Sequence, residues 1–391
     1  MTSNSVALTE CPLCGGSALS PSVRRAALPV MQNVVFSTRE EALAAPRASL
    51  TLCTCVRCGF SFNARFDPAR LVYDARYDND VPSAAFERYY REIALDLAAR
   101  HGITAGVVCD VGCGKGRFLD VFTEVVPGVT GLGIDPSCAP REATRGRPVT
   151  LVSDVFRPEH VAVAPKLVVC RHTLEHIPDP VPFLRSIHSA VEGASDAPLF
   201  FEVPDLGWIL DHGAFWDFCY EHCNYFTAES LAYALAAAGF VVDEVTRAFG
   251  GQYLHAHCRR GEARAAVTDG SVAVERCAKY ASDESERVAG AREEALRASQ
   301  SSSVALWGMA TKGVLFANLV DPDGTLLAGG VDINVKKQGK YTPVTAHAIR
   351  EPAWLATLGA HPTVFVMNPN YADEIRAQAA SLGVDARFIL V

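Results

Sequence analysis

The chain has 391 residues, 49% of them hydrophobic, with a formal charge of −8 at pH 7 and a pI near 5.8. That length supports more than one buried core. The acidic balance speaks against a nucleic-acid partner, which asks for a basic face, and no apolar run reaches the roughly 18 residues of a membrane span. The first residues, MTSNSVALTECPLC, lack the basic start and apolar stretch of a signal peptide. The expectation is a soluble cytoplasmic protein, a monomer or weak oligomer, acting on a small molecule.

The pattern divides the chain into 1–75, 76–258, 259–303 and 304–391. The first region concentrates cysteines, of which the chain has 13. CPLC places Cys11 and Cys14, and CVRC places Cys55 and Cys58, each pair followed by a glycine. Two C-x₂-C knuckles can supply four thiolates to a tetrahedral zinc ion, with glycines easing the sharp turns towards the metal. Protein ligands would then fill the coordination sphere, making the metal structural. Cys53 stands beside the second knuckle as a rival ligand. LVYDARYDNDVPSAAFERYY follows, with Tyr73 and Tyr77 as candidates to reach an active site.

From about residue 84, apolar runs alternate with helical stretches, as in a βαβ sheet. GVVCDVGCGKGRFLDVF reads as strand, glycine turn and helix, with Asp110, Gly112, Gly114 and Gly116 in the turn. Position 117 is Arg, so the dinucleotide fingerprint G-x-G-x-x-G fails. An acid before G-x-G-x-G resembles the first motif of class I S-adenosylmethionine (SAM) methyltransferases. That resemblance implies backbone approaching the methionine part of SAM and Asp110 near its amino group. VTGLGIDPS is a second strand ending in Asp135, where an acid would meet the ribose hydroxyls. VTLVSDVF is a third, ending in Asp154, where the family often contacts adenine. KLVVCRHTLEHIPDP and PLFFEVPD supply two more strands, the first followed by His172, Glu175 and His176. Open α/β sheets bind ligands at these C-terminal strand ends.

FWDFCYEHCNYFT, residues 215–227, follows the fifth strand, where such enzymes place substrate residues. His222 suits a general base near neutral pH, and Glu221 or Tyr220 could hold its ring or bond a carbonyl oxygen. YFTAESLAYALAAAGF continues as an amphipathic helix with Thr227 as N-cap. His255 and His257 alternate on a strand and share one face, as satisfied polar residues rather than ligands. Residues 259–303 read as one or two connecting helices ending at a serine-rich break. After it, SVALWGMATKGVLFANLV, TLLAGGVDIN and PTVFVMNP restore strand-helix alternation in a second α/β domain. Lys312, Lys336, Lys337 and Lys340 there could meet a diphosphate.

The order of zinc clip, SAM domain and C-terminal α/β domain resembles the C-methyltransferases of deoxysugar biosynthesis, which act on nucleotide-linked 4-keto sugars. CYEHCNYF matches the Glu-His-x-x-Tyr-Phe part of that family's signature at Glu221, His222, Tyr225 and Phe226. RHTLEH resembles its His-x-x-Glu-His segment, FGGQYL its Gly-Gly segment, and VDINVKKQGKYTPVT its Asp-x-Asn-x-x-Lys-x-Gly pattern. The likeness spans nearly the whole chain. Departures fall at Cys219 and Tyr220, which replace a tyrosine and a histidine, and at TPVT, which replaces a Pro-Gly-Thr turn. The resemblance implies a class I Rossmann-like sheet between a zinc-binding domain and a second Rossmann-like α/β domain. It further implies SAM and structural zinc as cofactors, a nucleotide-linked sugar as partner, and His222 as the base. Two other readings stand beside it. One is an O- or N-methyltransferase of another natural-product metabolite, assisted by His222 or His172. The other is a ligand-binding C-terminal domain on an inactive methyltransferase scaffold.

Overall fold

The structure is a computed structural model that describes residues 7–72, 83–144, 146–193, 197–266 and 269–391. Tyr73 and Tyr77 lie outside the described residues.

The N-terminal region forms β1 (Leu19–Pro29), the short helix α1 (Arg39–Leu43), β2 (Arg47–Cys55) and β3 (Ser61–Asn63). In the central region, α2 (Ala84–His101) precedes β4 (Gly106–Val111), α3 (Arg117–Val125), β5 (Val129–Ile134), β6 (Val149–Val152) and β7 (Leu167–Arg171). Then come α4 (Pro180–Ala190), β8 (Pro198–Pro204), α5 (Leu206–His212), β9 (Asn224–Tyr225), α6 (Ala228–Ala237), β10 (Phe240–Ala248) and β11 (Tyr253–Arg260). A long helix, α7 (Ser271–Ser299), leads to β12 (Val304–Trp307), α8 (Thr311–Val320), β13 (Gly329–Val331), β14 (Ile349–Arg350), β15 (Thr363–Val366), α9 (Ala372–Ser381) and β16 (Arg387–Leu390).

Three sheets result. The central one runs β10-β11-β8-β7-β4-β5-β6, parallel from β8 to β6 and closed at one edge by the antiparallel hairpin of β10 and β11. Its middle strand, LVVCR, is buried along its whole length, as a parallel strand covered on both faces must be. The C-terminal sheet, β14-β13-β12-β15-β16, is parallel throughout. The N-terminal sheet is antiparallel and takes its fourth strand, β9, from far along the chain, in the order β1-β2-β3-β9.

Local chemistry sets the ends of the elements. Ser83 caps α2 by accepting the Phe86 N–H, and Gly102 ends it in the left-handed conformation. Thr227 caps α6 by accepting the Ser230 N–H. The connector is a single helix, α7, which clamps the N-terminal sheet. Cys277 and Tyr280 are buried against that sheet, and Glu284 pairs with Arg25 at 2.5 Å.

Candidate functional site

The C-terminal ends of the central and C-terminal sheets face each other across one cavity of about 650 Å³. Residues after β4, β5, β7 and β8 line one side, and Gly308, Asp332 and Asn368, after β12, β13 and β15, line the other.

The glycine turn forms one end. Gly112 has φ +79°, and a Cβ there would sit inside the Thr173 side chain, so only glycine lets the turn lie against the β7 loop. Gly114 lines the cavity, and its N–H donates to Asp135 Oδ2 at 2.9 Å. The other oxygen of Asp135 accepts from Ser137 N (2.7 Å) and Ser137 Oγ (2.6 Å). Asp135 thus lines the cavity while pinning the turn. Asp110 lies beneath it, 3% exposed, and its Oδ1 has no hydrogen-bond partner. Burial pushes its carboxyl up to about 7, with the Arg171 guanidinium pulling the other way. A buried oxygen without a partner beside a glycine turn suits a cationic amine, so the residues fit SAM.

Two expected cofactor residues lie elsewhere. Gly116 starts α3 and packs against Leu151, outside the cavity lining. Asp154 does not line the cavity either. It is taken up by Arg157, three residues on in the same turn, and Val155 and Phe156 face the cavity instead.

Under the cofactor end lies a carboxylate that the sequence reading passed over. Glu202, in the middle of the apolar β8, is fully buried. Arg171 Nη2 donates to its Oε1 at 2.8 Å, while Tyr89 Oη (2.5 Å) and His255 Nε2 (2.7 Å) meet its Oε2. Burial opposes the charge, yet Arg171 and His172 hold it well below the ordinary carboxylate range. The Arg171 guanidinium lies over Tyr90 and Phe118, 4.4 Å from each ring centroid. His172 has φ +48° and its Nε2 sits 2.6 Å from Glu202 Oε1 as an ion pair. Burial lowers its pKa, but Glu202 and Glu175 outweigh that and push it up to about 9. His172 therefore lines the cavity as an imidazolium at neutral pH. His255 is satisfied, whereas His257 is not. Its Nδ1 lacks a partner, and burial holds it down to about 4 against Phe200 and His101.

Residues 215–227 form the other end. His222 keeps one edge on the cavity and packs its ring against His176, centroids 4.8 Å apart. Burial, then His176, pushes its pKa down to about 3, so it is a neutral imidazole and, against the expectation of a group titrating near neutral pH, a weaker base than a free histidine. Glu221 also lines the cavity, and its Oε1 accepts from the Gln32 N–H at 2.5 Å. Tyr220 departs from expectation, because its ring is buried beside Val30, Ala48 and Phe66 and its hydroxyl accepts from Asp67 N at 2.9 Å. Cys219 is buried too, in the core behind the site. The chain thus turns residues 219 and 220 into the core and 221 and 222 to the cavity. A carboxylate oxygen of Glu175 and ring nitrogens of His176 and His222 lie within 4.8 Å of one another, a donor set that could also hold a cation.

The N-terminal sheet holds this end in place. Arg25 donates to the carbonyls of Phe218 (3.0 Å) and Phe215 (2.7 Å). Asn63 N–H donates to the Cys223 carbonyl at 2.8 Å, and β3 pairs with β9. From the C-terminal domain, Lys312 lines the cavity but is paired with Asp217 at 2.6 Å. Lys337 also lines it, buried, donating to Asn33 at 3.1 Å. Lys336 and Lys340 are not among its walls.

Outside the cavity lining, the sulfurs of Cys11, Cys14, Cys55 and Cys58 all lie within 4.8 Å of one another, with Cys11–Cys58 at 3.6 Å and Cys14–Cys55 at 3.5 Å. Zinc–thiolate bonds of about 2.3 Å in a tetrahedron space sulfurs about 3.8 Å apart, so the cluster fits zinc. The knuckles match each other. The N–H of Gly15 meets Cys11 O and that of Gly59 meets Cys55 O, both at 2.9 Å. Cys53 is outside the cluster.

A parallel sheet with a glycine turn after its first strand, flanked by a buried acid and a second acid on the next strand, defines a class I methyltransferase fold. Here it is joined to a second, wholly parallel α/β domain. The family comparison agrees in both parts, matching a methyltransferase domain over residues 83–245 and a C-methyltransferase C-terminal domain over 271–391. The domains are those of a SAM-dependent methyltransferase.

Among curated proteins, the ubiquinone biosynthesis O-methyltransferase of Proteus mirabilis (strain HI4320) is 36% identical over 100 residues. The match covers 23% of this chain and 40% of that protein, so the chain spans less than half the length of this relative. Among solved structures, the Burkholderia thailandensis 1,6-didemethyltoxoflavin-N1-methyltransferase, with S-adenosylhomocysteine bound, shares 22% identity over 46% of this chain and 80% of that one (TM-score 0.34). The magnesium protoporphyrin IX methyltransferase of Synechocystis PCC 6803, also with S-adenosylhomocysteine, shares 14% over 47% and 90% (TM-score 0.35). No helix among the described residues is long and apolar enough to cross a membrane.

Proposed function

We propose that the protein methylates a carbon next to a carbonyl, in a nucleotide-linked keto-deoxysugar, with His222 as the base. The observation that carries this reading is that His222, a neutral imidazole, lines the same cavity as the glycine turn and Asp110. SAM, when bound, would supply an electrophilic methyl group, whose bond to sulfur breaks to leave S-adenosylhomocysteine. Asp110 and the turn around Gly112 and Gly114 would hold it. His222 takes the proton from the acceptor carbon, leaving the electron pair as an enolate to form the new C–C bond. Lys337 brings positive charge to the C-terminal wall, where Lys312 is already balanced by Asp217, and that charge favours an acceptor carrying phosphates. We further infer that Cys11, Cys14, Cys55 and Cys58 hold a structural zinc ion.

The test is carbon-13 NMR of the protein incubated with methyl-labelled SAM and a panel of nucleotide-linked 4-keto-6-deoxy sugars. A carbon-bound methyl is expected. His222→Asn should lose about 10²-fold or more in turnover with SAM affinity near wild type. A methoxy or N-methyl product would replace the enolate route with O- or N-methylation, and full turnover by His222→Asn would reject the base.

A further inference from the structure

Glu175 takes no part in the function argued so far, yet it stands at the centre of the acceptor end. It lies in the turn after β7, is 2% exposed, and its Oε2 has no hydrogen-bond partner. A buried carboxylate oxygen left without a donor costs free energy, and such groups concentrate where function keeps them. Its Oε1 sits 3.5 Å from His172 Nδ1, and one of its oxygens is within 4.8 Å of ring nitrogens of both His176 and His222.

The backbone makes this placement rigid. The Cys223 N–H donates to the Glu175 carbonyl at 2.9 Å, and Asn224 Nδ2 donates to the carbonyls of Leu174 (2.9 Å) and Ile177 (2.7 Å). His176 Nδ1 stands 3.0 Å from the Glu221 carbonyl, which can only accept, so that nitrogen carries the ring proton. Two segments distant in sequence are thus stitched together on both sides of the Glu175–His222 approach.

The charges around His222 differ in sign. His172 and His176 face it from the β7 turn, and Lys312, paired with Asp217, from the C-terminal domain. Each of these cations or rings disfavours a proton on His222, whereas Glu175 favours one. Glu221, its neighbour in the chain, engages Gln32.

We propose that Glu175 is the positioning residue of His222, its carboxylate compensating the imidazolium that forms when the acceptor loses its proton. This rests on the base reading above. In that step the acceptor C–H bond breaks, the proton passes to a His222 ring nitrogen, and the electron pair stays on the acceptor as enolate. Glu175 neither gains nor loses a proton. From within 4.8 Å the carboxylate acts through its charge, lowering the energy of the protonated ring.

The test compares Glu175→Gln, which keeps the shape, with Glu175→Asp, which keeps the charge. With S-adenosylhomocysteine bound in heavy water, exchange of the keto acceptor's α-hydrogen reads proton removal without methyl transfer. Glu175→Gln should slow that exchange about 10²-fold with SAM affinity within about 2-fold of wild type, and Glu175→Asp should recover much of the rate. Equal losses in both variants, together with SAM affinity, would mean a folding role and overturn the proposal, as would wild-type exchange in Glu175→Gln. Nitrogen-15 NMR of histidine-labelled protein needs no acceptor and separates this inference from the function. A His222 ring that protonates at lower pH in Glu175→Gln than in wild type supports it, and identical titration rejects it even where no acceptor is turned over. A second metal equivalent, present in wild type and lost in Glu175→Gln, would make the residue a metal ligand instead.

Discussion

The two ends of the cavity are built by opposite means. The cofactor end comes largely from one run of chain, where β4 leads into the turn around Gly112 and Asp135 reaches across to the Gly114 N–H. Backbone geometry shapes it, so a few glycines and acids suffice. The acceptor end is assembled from side chains of the β7 turn, residues 215–227 and the C-terminal domain. The antiparallel N-terminal sheet props it from behind through Arg25, Gln32 and Asn63. Damage to the first end should therefore stay local, whereas the second should fail when a distant support is removed.

The sharpest break would come at the four-cysteine cluster, proposed above to hold zinc. Cys58→Ser should lose about one equivalent of zinc and more than about 10²-fold in turnover, because β3 then no longer anchors β9 beside His222. SAM affinity should stay within about 3-fold, since among the described residues the hydrogen bonds of the glycine turn and Asp135 stay within the central domain, though the two regions share one apolar core. Titration calorimetry paired with metal analysis measures both, and joint loss would erase the distinction between the ends.

Next in size is Gly112→Ala. Left-handed backbone plus a Cβ driven into Thr173 should cost about 3 kcal/mol in denaturant unfolding and abolish SAM binding.

A smaller effect concerns Asp110, whose folded pKa, about 7, lies above its ordinary 3.8. A raised acid binds its proton more tightly when folded. The charged form therefore costs nothing below pH 3.8, costs progressively more between there and about 7, and costs fully above. Ligand-free Asp110→Asn should thus gain thermal stability at pH 8 and little at pH 4. An amine on the ligand reverses that preference, so wild-type SAM affinity should rise by up to about tenfold per unit towards pH 7 and then level. A flat profile would place the amine elsewhere.

The smallest expected effect tests a contact at the cofactor end that crosses between domains. Glu374 of α9 accepts from Ser83 Oγ (2.7 Å), Ala84 N (3.2 Å) and Ala85 N (3.0 Å), capping α2 from the C-terminal domain. Glu374→Ala should cost about 1 kcal/mol in stability. A much larger loss, with weaker SAM binding, would mean that the C-terminal domain holds the cofactor end as well.

Legibility in the sequence follows the same division. The turn at Asp110 to Gly116 and the strand ending in Asp135 were visible because their chemistry lies within a few residues, though Gly116 serves packing and Asp154 serves a local ion pair. The paired knuckles announced four sulfurs that lie together. His222 stood out as a titratable group among aromatics. Glu202 could have been noticed as a charge inside an apolar strand. Nothing in the spacing told that Tyr220 would turn into the core.

By itself, the sequence determined the main strands of the central and C-terminal domains, the glycine turn and the two cysteine pairs, because each depends on neighbours in the chain and on backbone sterics, whereas β1 to β3 went unread. Only the tertiary structure decided that residues 224–225 complete the N-terminal sheet, that Glu175 comes within 4.8 Å of His222, and that Glu202 gathers Arg171, His172 and His255. These are contacts between segments tens to hundreds of residues apart. Burial and charge at such contacts depend on how the sheets pack, and no local pattern carries that information.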